Sequence, residues 1–413
     1  MLFVQILDLI SSAVLPASCL HAPSGSHSGH HAATDGSGLS KPFVAYQPDF
    51  LKLLAAPALS VLCHSEDGLP LFHEAGKSDS GQDLVFFTSN LAKEHVRVDG
   101  GGMASGLVRL TKVVIPQVAP EKPLTTGWTD LPLSQTYPAA NGAFLFGHHL
   151  LLCDQGYGTG QPSSLVLVDS RAPHKATTLL NNFHGRRFNS LNDVVVHSAP
   201  GRTHSRDTSH PLIGHRAKGD PYETIWFTDP HYASEQGFKD APELPAQAYC
   251  FDPWTGNIRA VGDQFTKPNG IAFDATGTTC YITDTGMIRG DGVINGHLPG
   301  SIYAYDVVFP PPTTDPTVAG PQLANRRLFA FTDSGAPDGI KLDRDGNVYA
   351  GCFDGIHVWN KFGTLLGKIL LTAGGEPPDG CANFCFVPGG RIVGLAEDKM
   401  YLVEGLAVEG ALL

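Results

Sequence analysis

Short apolar runs separated by turn residues recur from about residue 42 to Val403, and no long helical periodicity interrupts them. Runs of this kind, divided by Gly, Pro, Asn and Asp, predict β-strands joined by tight turns. The pattern predicts roughly two dozen strands. The expected fold class is therefore all-β.

The predicted strands belong to a repeat of six units. The two clearest copies are residues 269–285 and 338–355, and each has a polar residue, a strand, a turn with Gly, a second strand and an acidic residue. Six units spaced by roughly 50 residues predict a toroid, because no single hairpin can bury its apolar face alone. We expect a six-bladed β-propeller with four-stranded antiparallel blades. The residues that open the six units are Glu74, Asn141, Asn192, Asn269, Asp338 and Asn383.

Composition supports a folded chain with many turns. The 413 residues include 47 Gly and 31 Pro, with 42% hydrophobic and 16% charged residues. The net charge of -12, without any basic run, argues against nucleic acid and anionic membranes as partners, since both require a basic face. The sequence does not indicate an oligomeric state.

The chain is predicted to contain one large domain, residues 42–413, preceded by a flexible leader at residues 20–41. Residues 1–19 have the apolar run and small residues of a secretory signal, but they lack a basic start and Asp8 interrupts the run. Secretion is therefore favoured only slightly over a cytoplasmic location. An insertion at about residues 199–222 separates the two strands of the third unit, and a polar loop is the preferred interpretation of it.

All six opening residues carry a side-chain oxygen. Equivalent positions in a radial repeat lie at similar distances from the axis, so these oxygens should face one small volume. Any single Asn-Gly or Asp-Gly pair is explained better by turn chemistry, but the full set is not. An oxygen-only shell favours Ca²⁺ first and Mg²⁺ or Mn²⁺ next, with Zn²⁺ less natural. The pattern thus predicts one divalent cation on the axis.

At these residues the sequence resembles the regucalcin/gluconolactonase family, and more closely its fungal-type lactonohydrolases. The matching segments are FHE from Phe72, FNSLND from Phe188, WFTDPHY from Trp226, KPNGIAFD from Lys267 and APDGIKLD from Ala336. The resemblance implies a cation held by four side chains, which are Glu74, Asn192, Asn269 and Asp338. The sequence departs from the family pattern at Leu191, where Pro is usual, and at Ala233, where Gly is usual.

The resemblance implies a hydrolase that opens a small sugar-type or hydroxylated lactone. In this hypothesis Asp338 also acts as the catalytic base. The substrate-binding candidates are the two remaining opening residues and two residues after the TDP turn: Asn141, Asn383, His231 and Tyr232. Two alternatives remain open, a phosphotriesterase-type propeller hydrolase and a non-catalytic calcium-binding propeller.

Overall fold

The computed structural model describes residues 4–6, 42–79, 83–90, 108–133, 137–204, 207–311, 320–373 and 376–412. The leader predicted to be flexible, residues 20–41, lies outside these ranges, as does the predicted signal peptide apart from Val4–Ile6. Both remain predictions.

Six sheets follow one another along the described chain, and we number them as blades 1 to 6; their strands pair antiparallel, apart from the parallel pair of Val4–Ile6 and Phe43–Ala45. Each blade is given from its inner strand outward. Blade 1 contains Glu74–Asp79, Leu84–Thr88, Leu110–Val114 and Trp128–Asp130. Blade 2 contains Ala140–Phe146, His149–Asp154, Ser164–Asp169 and Ala176–Leu180. Blade 3 contains Val194–Thr203, Pro221–Asp229, Gln247–Asp252 and Asn257–Gly262.

The second half of the chain repeats this arrangement. Blade 4 contains Pro268–Phe273, Thr279–Asp284, Ser301–Val308 and Gln322–Phe331. Blade 5 contains Ile340–Leu342, Val348–Cys352, Gly355–Trp359 and Leu365–Leu370, and Phe43–Ala45 and Val4–Ile6 extend its outer edge. Blade 6 contains Asn383–Val387, Arg391–Ala396, Lys399–Leu406 and Leu54–His64.

The blades close into a ring. Each inner strand contacts the inner strands of both neighbouring blades, and the inner strands of blades 6 and 1 contact each other as well. The strand Leu54–His64 supplies the outer strand of blade 6, where Ser60 pairs with Leu402. An early and a late segment of the described chain therefore share one sheet, and the predicted six-bladed β-propeller is confirmed.

Apolar layers between neighbouring blades hold the ring together. Between blades 3 and 4, the fully buried Trp226 packs edge-on against Phe273, with the ring centroids 5.2 Å apart. Between blades 6 and 1, Phe72 and Phe87 share a cluster with Leu402. Burial of each such side chain contributes on the order of 1.5–3 kcal/mol, so the inter-blade layers fix the positions of the inner strands.

The insertion at residues 199–222 forms an ordered ribbon where described, and the polar-loop interpretation is wrong for that part. Thr208–His210 pairs with Gly214–Arg216, and the guanidinium of Arg216 packs over the rings of Phe146 and Trp254. A second ribbon joins Asn182–Phe183 to Arg186–Arg187.

Two short helices, Pro48–Lys52 and Tyr232–Glu235, complete the described elements. In the part of the chain that the structure describes, no helix has the length and apolar character needed to cross a membrane.

Candidate metal centre

The six opening residues lie at the start of the inner strands or, for Asn192 and Asp338, two residues before it, and hydrogen bonds link them from blade to blade. The amide Nδ2 of Asn383 in blade 6 donates to Oε2 of Glu74 in blade 1, at 2.7 Å. Glu74 pairs with Thr88, whose hydroxyl donates to the carbonyl of Asn141 in blade 2 at 3.2 Å. The amide of Gly142, which follows Asn141, in turn donates to the carbonyl of Asn192 in blade 3 at 2.8 Å.

Glycines after three opening residues let the inner strands approach closely. A Cβ atom on Gly142 would lie 2.5 Å from the Asn192 carbonyl oxygen, and one on Gly270 would lie 2.5 Å from the Asp338 carbonyl oxygen. A Cβ on Gly339 would lie 2.3 Å from Oδ1 of Asn383. None of these three glycines has a positive φ. The turn interpretation of these Asn-Gly and Asp-Gly pairs is therefore wrong, since close packing around the axis excludes a side chain.

Buried threonines on second strands hold the next blade's opening residue by its backbone. Thr228 donates to the carbonyl of Asn269 at 2.7 Å, and Thr283 donates to the carbonyl of Asp338 at 2.8 Å. Thr88 makes the same bond to Asn141. These inter-blade bonds were not predicted, although a threonine at the same place in FFTSN, WFTDP and YITD was a visible signal.

Aspartates at the ends of second strands fix the loop that enters the same blade. Asp229 accepts hydrogen bonds from the amides of Asn189 and Ser190, at 3.0 and 2.6 Å. Asp284 accepts from the amides of Thr266 and Lys267, at 3.0 and 2.8 Å. Burial raises the pKa of Asp229 to about 7 despite these bonds. The aspartates therefore position the opening residues and are not placed to react.

Four opening residues retain a side-chain oxygen that can serve as a ligand. Oδ1 of Asn192 and Oδ1 of Asp338 are buried and have no hydrogen-bond partner among the described residues. The hydrogen bonds of the Glu74 carboxylate, from Asn383 and from the amide of Ala75, both fall on Oε2. Asn269 uses its Nδ2 to donate to the Tyr232 hydroxyl at 3.3 Å, so its Oδ1 is turned away from that bond.

The other two opening residues have their side-chain oxygens engaged. Oδ1 of Asn141 accepts from the amide of Gly142 at 2.9 Å. Oδ1 of Asn383 accepts from the amide of Phe384 at 2.8 Å and from Nζ of Lys341 at 3.1 Å. Hydrogen bonding thus sorts the six residues into the four expected cation ligands and two amides whose oxygens are already used.

The electrostatics of this ring suit a cation. Glu74 is 2% exposed, and burial followed by the charge of Asp338 raises the pKa of its carboxyl. Burial likewise raises the pKa of Asp338, while the charge of His73 and a hydrogen bond from Asn269 lower it. Two buried carboxylates that repel each other, beside orphaned oxygens on Asn192 and Asp338, form a donor set that a hard divalent cation would complete. The residues present therefore fit the predicted ion.

The remaining predicted site residues differ in their placement. Tyr232 lies beside the ring through its contact with Asn269, and burial with the Asp338 charge raises the pKa of its hydroxyl. His231 is turned toward the backbone, where its Nε2 bonds the carbonyl oxygen of Leu244 at 3.1 Å. His73, next to Glu74, bonds Oε1 of Glu397 through its Nδ1 at 2.7 Å. The structure thus brings Tyr232, but not the His231 Nε2, to the ring.

A second group of side chains brings possible metal-ligand atoms close together. His148, His149 and Asp169 lie at the far end of blade 2, roughly 17 Å along the inner strand from Asn141. The Asp169 carboxylate there already pairs with Arg171 through two bonds. This group is separate from the axial ring.

A cavity lies along the inner strands beyond the ring. Its lining residues follow the opening residues by one to four positions, and Gly410, Ala411 and Leu412 border it as well. Apart from Asp193 and Lys341, these residues are apolar or glycine.

Residues 217–391 match the family model described as the SMP-30/Gluconolactonase/LRE-like region. This part of the chain is similar to the SMP-30/gluconolactonase-like family. The resemblance found from the sequence motifs is thereby confirmed. The gluconolactonase-like region includes Asn269 and Asp338, whereas Glu74 and Asn192 precede it.

Curated relatives agree with this family. The lactonohydrolase oryL of Aspergillus oryzae is 30% identical over 217 residues, which are 49% of this chain and 39% of that protein. The gluconolactonase of Zymomonas mobilis is 23% identical over 218 residues, which are 52% of this chain and 50% of that protein. The chain therefore spans at most half of the length of these relatives.

Solved structures support the fold. The gluconolactonase XC5397 from Xanthomonas campestris superposes with a TM-score of 0.59 at 20% identity, covering 89% of this chain and 95% of that one. A luciferin-regenerating enzyme superposes with a TM-score of 0.51 at 13% identity, covering 86% of this chain and 97% of that one. At these identities the likeness concerns the propeller alone.

Proposed function

We propose that this protein is a metal-dependent hydrolase that opens the ring of a small lactone, of the sugar type or hydroxylated. The observation that carries the proposal is the ring of Glu74, Asn192, Asn269 and Asp338, with two buried carboxylates and orphaned amide and carboxylate oxygens. The relatives named lactonohydrolase and gluconolactonase support the substrate class.

In this proposal the four ring residues hold one divalent cation, with Ca²⁺ preferred because all four donors are oxygens. A bound ion would supply Lewis-acid chemistry, namely polarisation of a lactone carbonyl and stabilisation of the negative charge that develops on it. Glu74 would anchor the ion through Oε1, since its hydrogen bonds among the described residues fall on Oε2.

Asp338 accepts the proton of the attacking water in the same proposal. As one of the ring carboxylates that would hold the ion, Asp338 would neighbour the attacking water. Tyr232 contacts substrate from the side of the loop that follows the second strand of blade 3. Asn383 holds Glu74, and the side-chain oxygens of Asn383 and Asn141 are both already used in hydrogen bonds.

A pH-stat assay of a lactone panel, with and without chelator, tests the proposal. We expect aldonolactones or a small hydroxylated lactone to be opened, activity to vanish on removal of the cation, and Ca²⁺ to restore it. Faster hydrolysis of organophosphates than of any lactone would support the phosphotriesterase alternative instead. Cation binding without any hydrolysis would support a non-catalytic propeller.

A further inference from the structure

Lys341 connects the cavity beyond the ring to the ring itself. It lies on the inner strand of blade 5, three residues after Asp338, and lines the cavity. Its Nζ donates to Oδ1 of Asn383 at 3.1 Å and lies 5.9 Å from the centroid of the Phe384 ring. The charged ammonium group of Lys341 therefore donates to a neutral amide that lies next to the predicted cation ligands.

The Asn383 amide transmits this contact to Glu74. Asn383 is 1% exposed, and its Oδ1 accepts from both Lys341 Nζ and the amide of Phe384. Its Nδ2 then donates to Oε2 of Glu74 at 2.7 Å. A flipped amide would set its NH₂ group against the Lys341 ammonium and its oxygen against the Glu74 carboxylate. One orientation of the amide is thus strongly favoured.

We propose that Lys341 is a positioning residue of the cation site, which acts through the Asn383 amide to hold Oε2 of Glu74 and leave Oε1 for the ion. The inference rests on the proposed function, because it assumes that a cation lies among the four free oxygens. Outer partners that orient a ligand commonly change metal affinity by about 10–100-fold when they are removed. A lysine that merely filled the cavity would affect stability but not the affinity for the cation.

Calcium titration calorimetry on the full chain tests this inference. Lys341→Met removes the ammonium group but keeps much of the apolar stem, and we expect its Ca²⁺ affinity to fall by about 10-fold or more. Lys341→Arg keeps a cationic donor and should stay within about threefold of the wild type. Lys361→Met changes an exposed lysine in a turn of the same blade and should bind Ca²⁺ as the wild type does.

A double-mutant cycle with Asn383→Ala separates positioning from general packing. If Lys341 acts through the amide, Lys341→Met should cost little further affinity once Asn383 is alanine. Equal affinity of Lys341→Met and wild type, or additive losses in the double variant, would overturn the inference. If Lys341→Met does not fold, the same cycle with Lys341→Gln decides. Absence of Ca²⁺ binding by the wild type would instead refute the proposed cation site.

Discussion

Gly270→Ala tests whether close packing around the axis, not a turn, explains the glycine after Asn269. The added Cβ would lie 2.5 Å from the Asp338 carbonyl oxygen, 2.9 Å from the Ile340 amide nitrogen and 3.0 Å from a methyl group of Ile340. Ordinary contacts begin near 3.4 Å, so the inner strands of blades 4 and 5 must separate by roughly 0.9 Å at this point. Two of the three obstructing atoms belong to the backbone and cannot rotate away.

Gly270→Ala should lower both the stability of the fold and the affinity for Ca²⁺. Overpacking of a well-packed site typically costs about 1–3 kcal/mol, and a backbone clash places this variant toward the upper end. A shift of this size also exceeds the roughly 0.2 Å tolerance of metal–oxygen distances, so Ca²⁺ affinity should fall by at least about tenfold. The measurements are the urea midpoint without cation and the Ca²⁺ affinity by titration calorimetry.

Gly296→Ala is the matched control, because nothing lies within 4 Å of its added Cβ and its φ is not positive. This substitution should leave Ca²⁺ affinity unchanged and alter stability by less than about 1 kcal/mol. If Gly270→Ala matched Gly296→Ala in both midpoint and affinity, the packing argument for the ring would fail.

Thr228→Val should destabilise the chain by about 1–3 kcal/mol, since it leaves the buried Asn269 carbonyl unpaired, whereas Thr228→Ser should retain most of that bond; denaturant midpoints compare the two. Asp338→Asn should fold as the wild type but lose lactone turnover in the pH-stat assay, and a near-normal rate would refute its role as base. The raised pKa values of Glu74 and Asp338 mean that the folded, cation-free chain binds more protons than the unfolded chain above their ordinary pKa values. The stability of the cation-free chain should therefore fall, and its Ca²⁺ affinity should rise, as the pH rises from the ordinary pKa values of these two carboxyls towards their raised values. Denaturant midpoints and calorimetry at several pH values measure the two quantities, and a flat pH profile would contradict the prediction.

The repeat made the propeller predictable from sequence. Strand, turn and strand recur with the same polar opening residue, and radial symmetry converts equivalent sequence positions into neighbouring spatial positions. Even the first unit, which opens with Glu74 and not with Asn or Asp, adopts the expected pairing with the strand Leu84–Thr88. The participation of Leu54–His64 in blade 6 was harder to predict from the sequence, since this pairing joins distant parts of the chain.

The detailed roles around the ring required coordinates. Sequence could not show that the oxygens of Asn141 and Asn383 are engaged while that of Asn192 is not, because this depends on amide orientation. The lysine beneath the ring was missed for the same reason, since Lys341 looks like an ordinary polar position in a strand. Sequence motifs thus predicted the donor set, and hydrogen bonding distinguishes which donors are available.

A crystal grown with Mn²⁺, examined by anomalous scattering, would test the central claim most directly. The account predicts one strong peak on the propeller axis, within about 2.1–2.6 Å of an oxygen from each of Glu74, Asn192, Asn269 and Asp338. Density confined to His148, His149 and Asp169, with none among the four inner-strand oxygens, would contradict it.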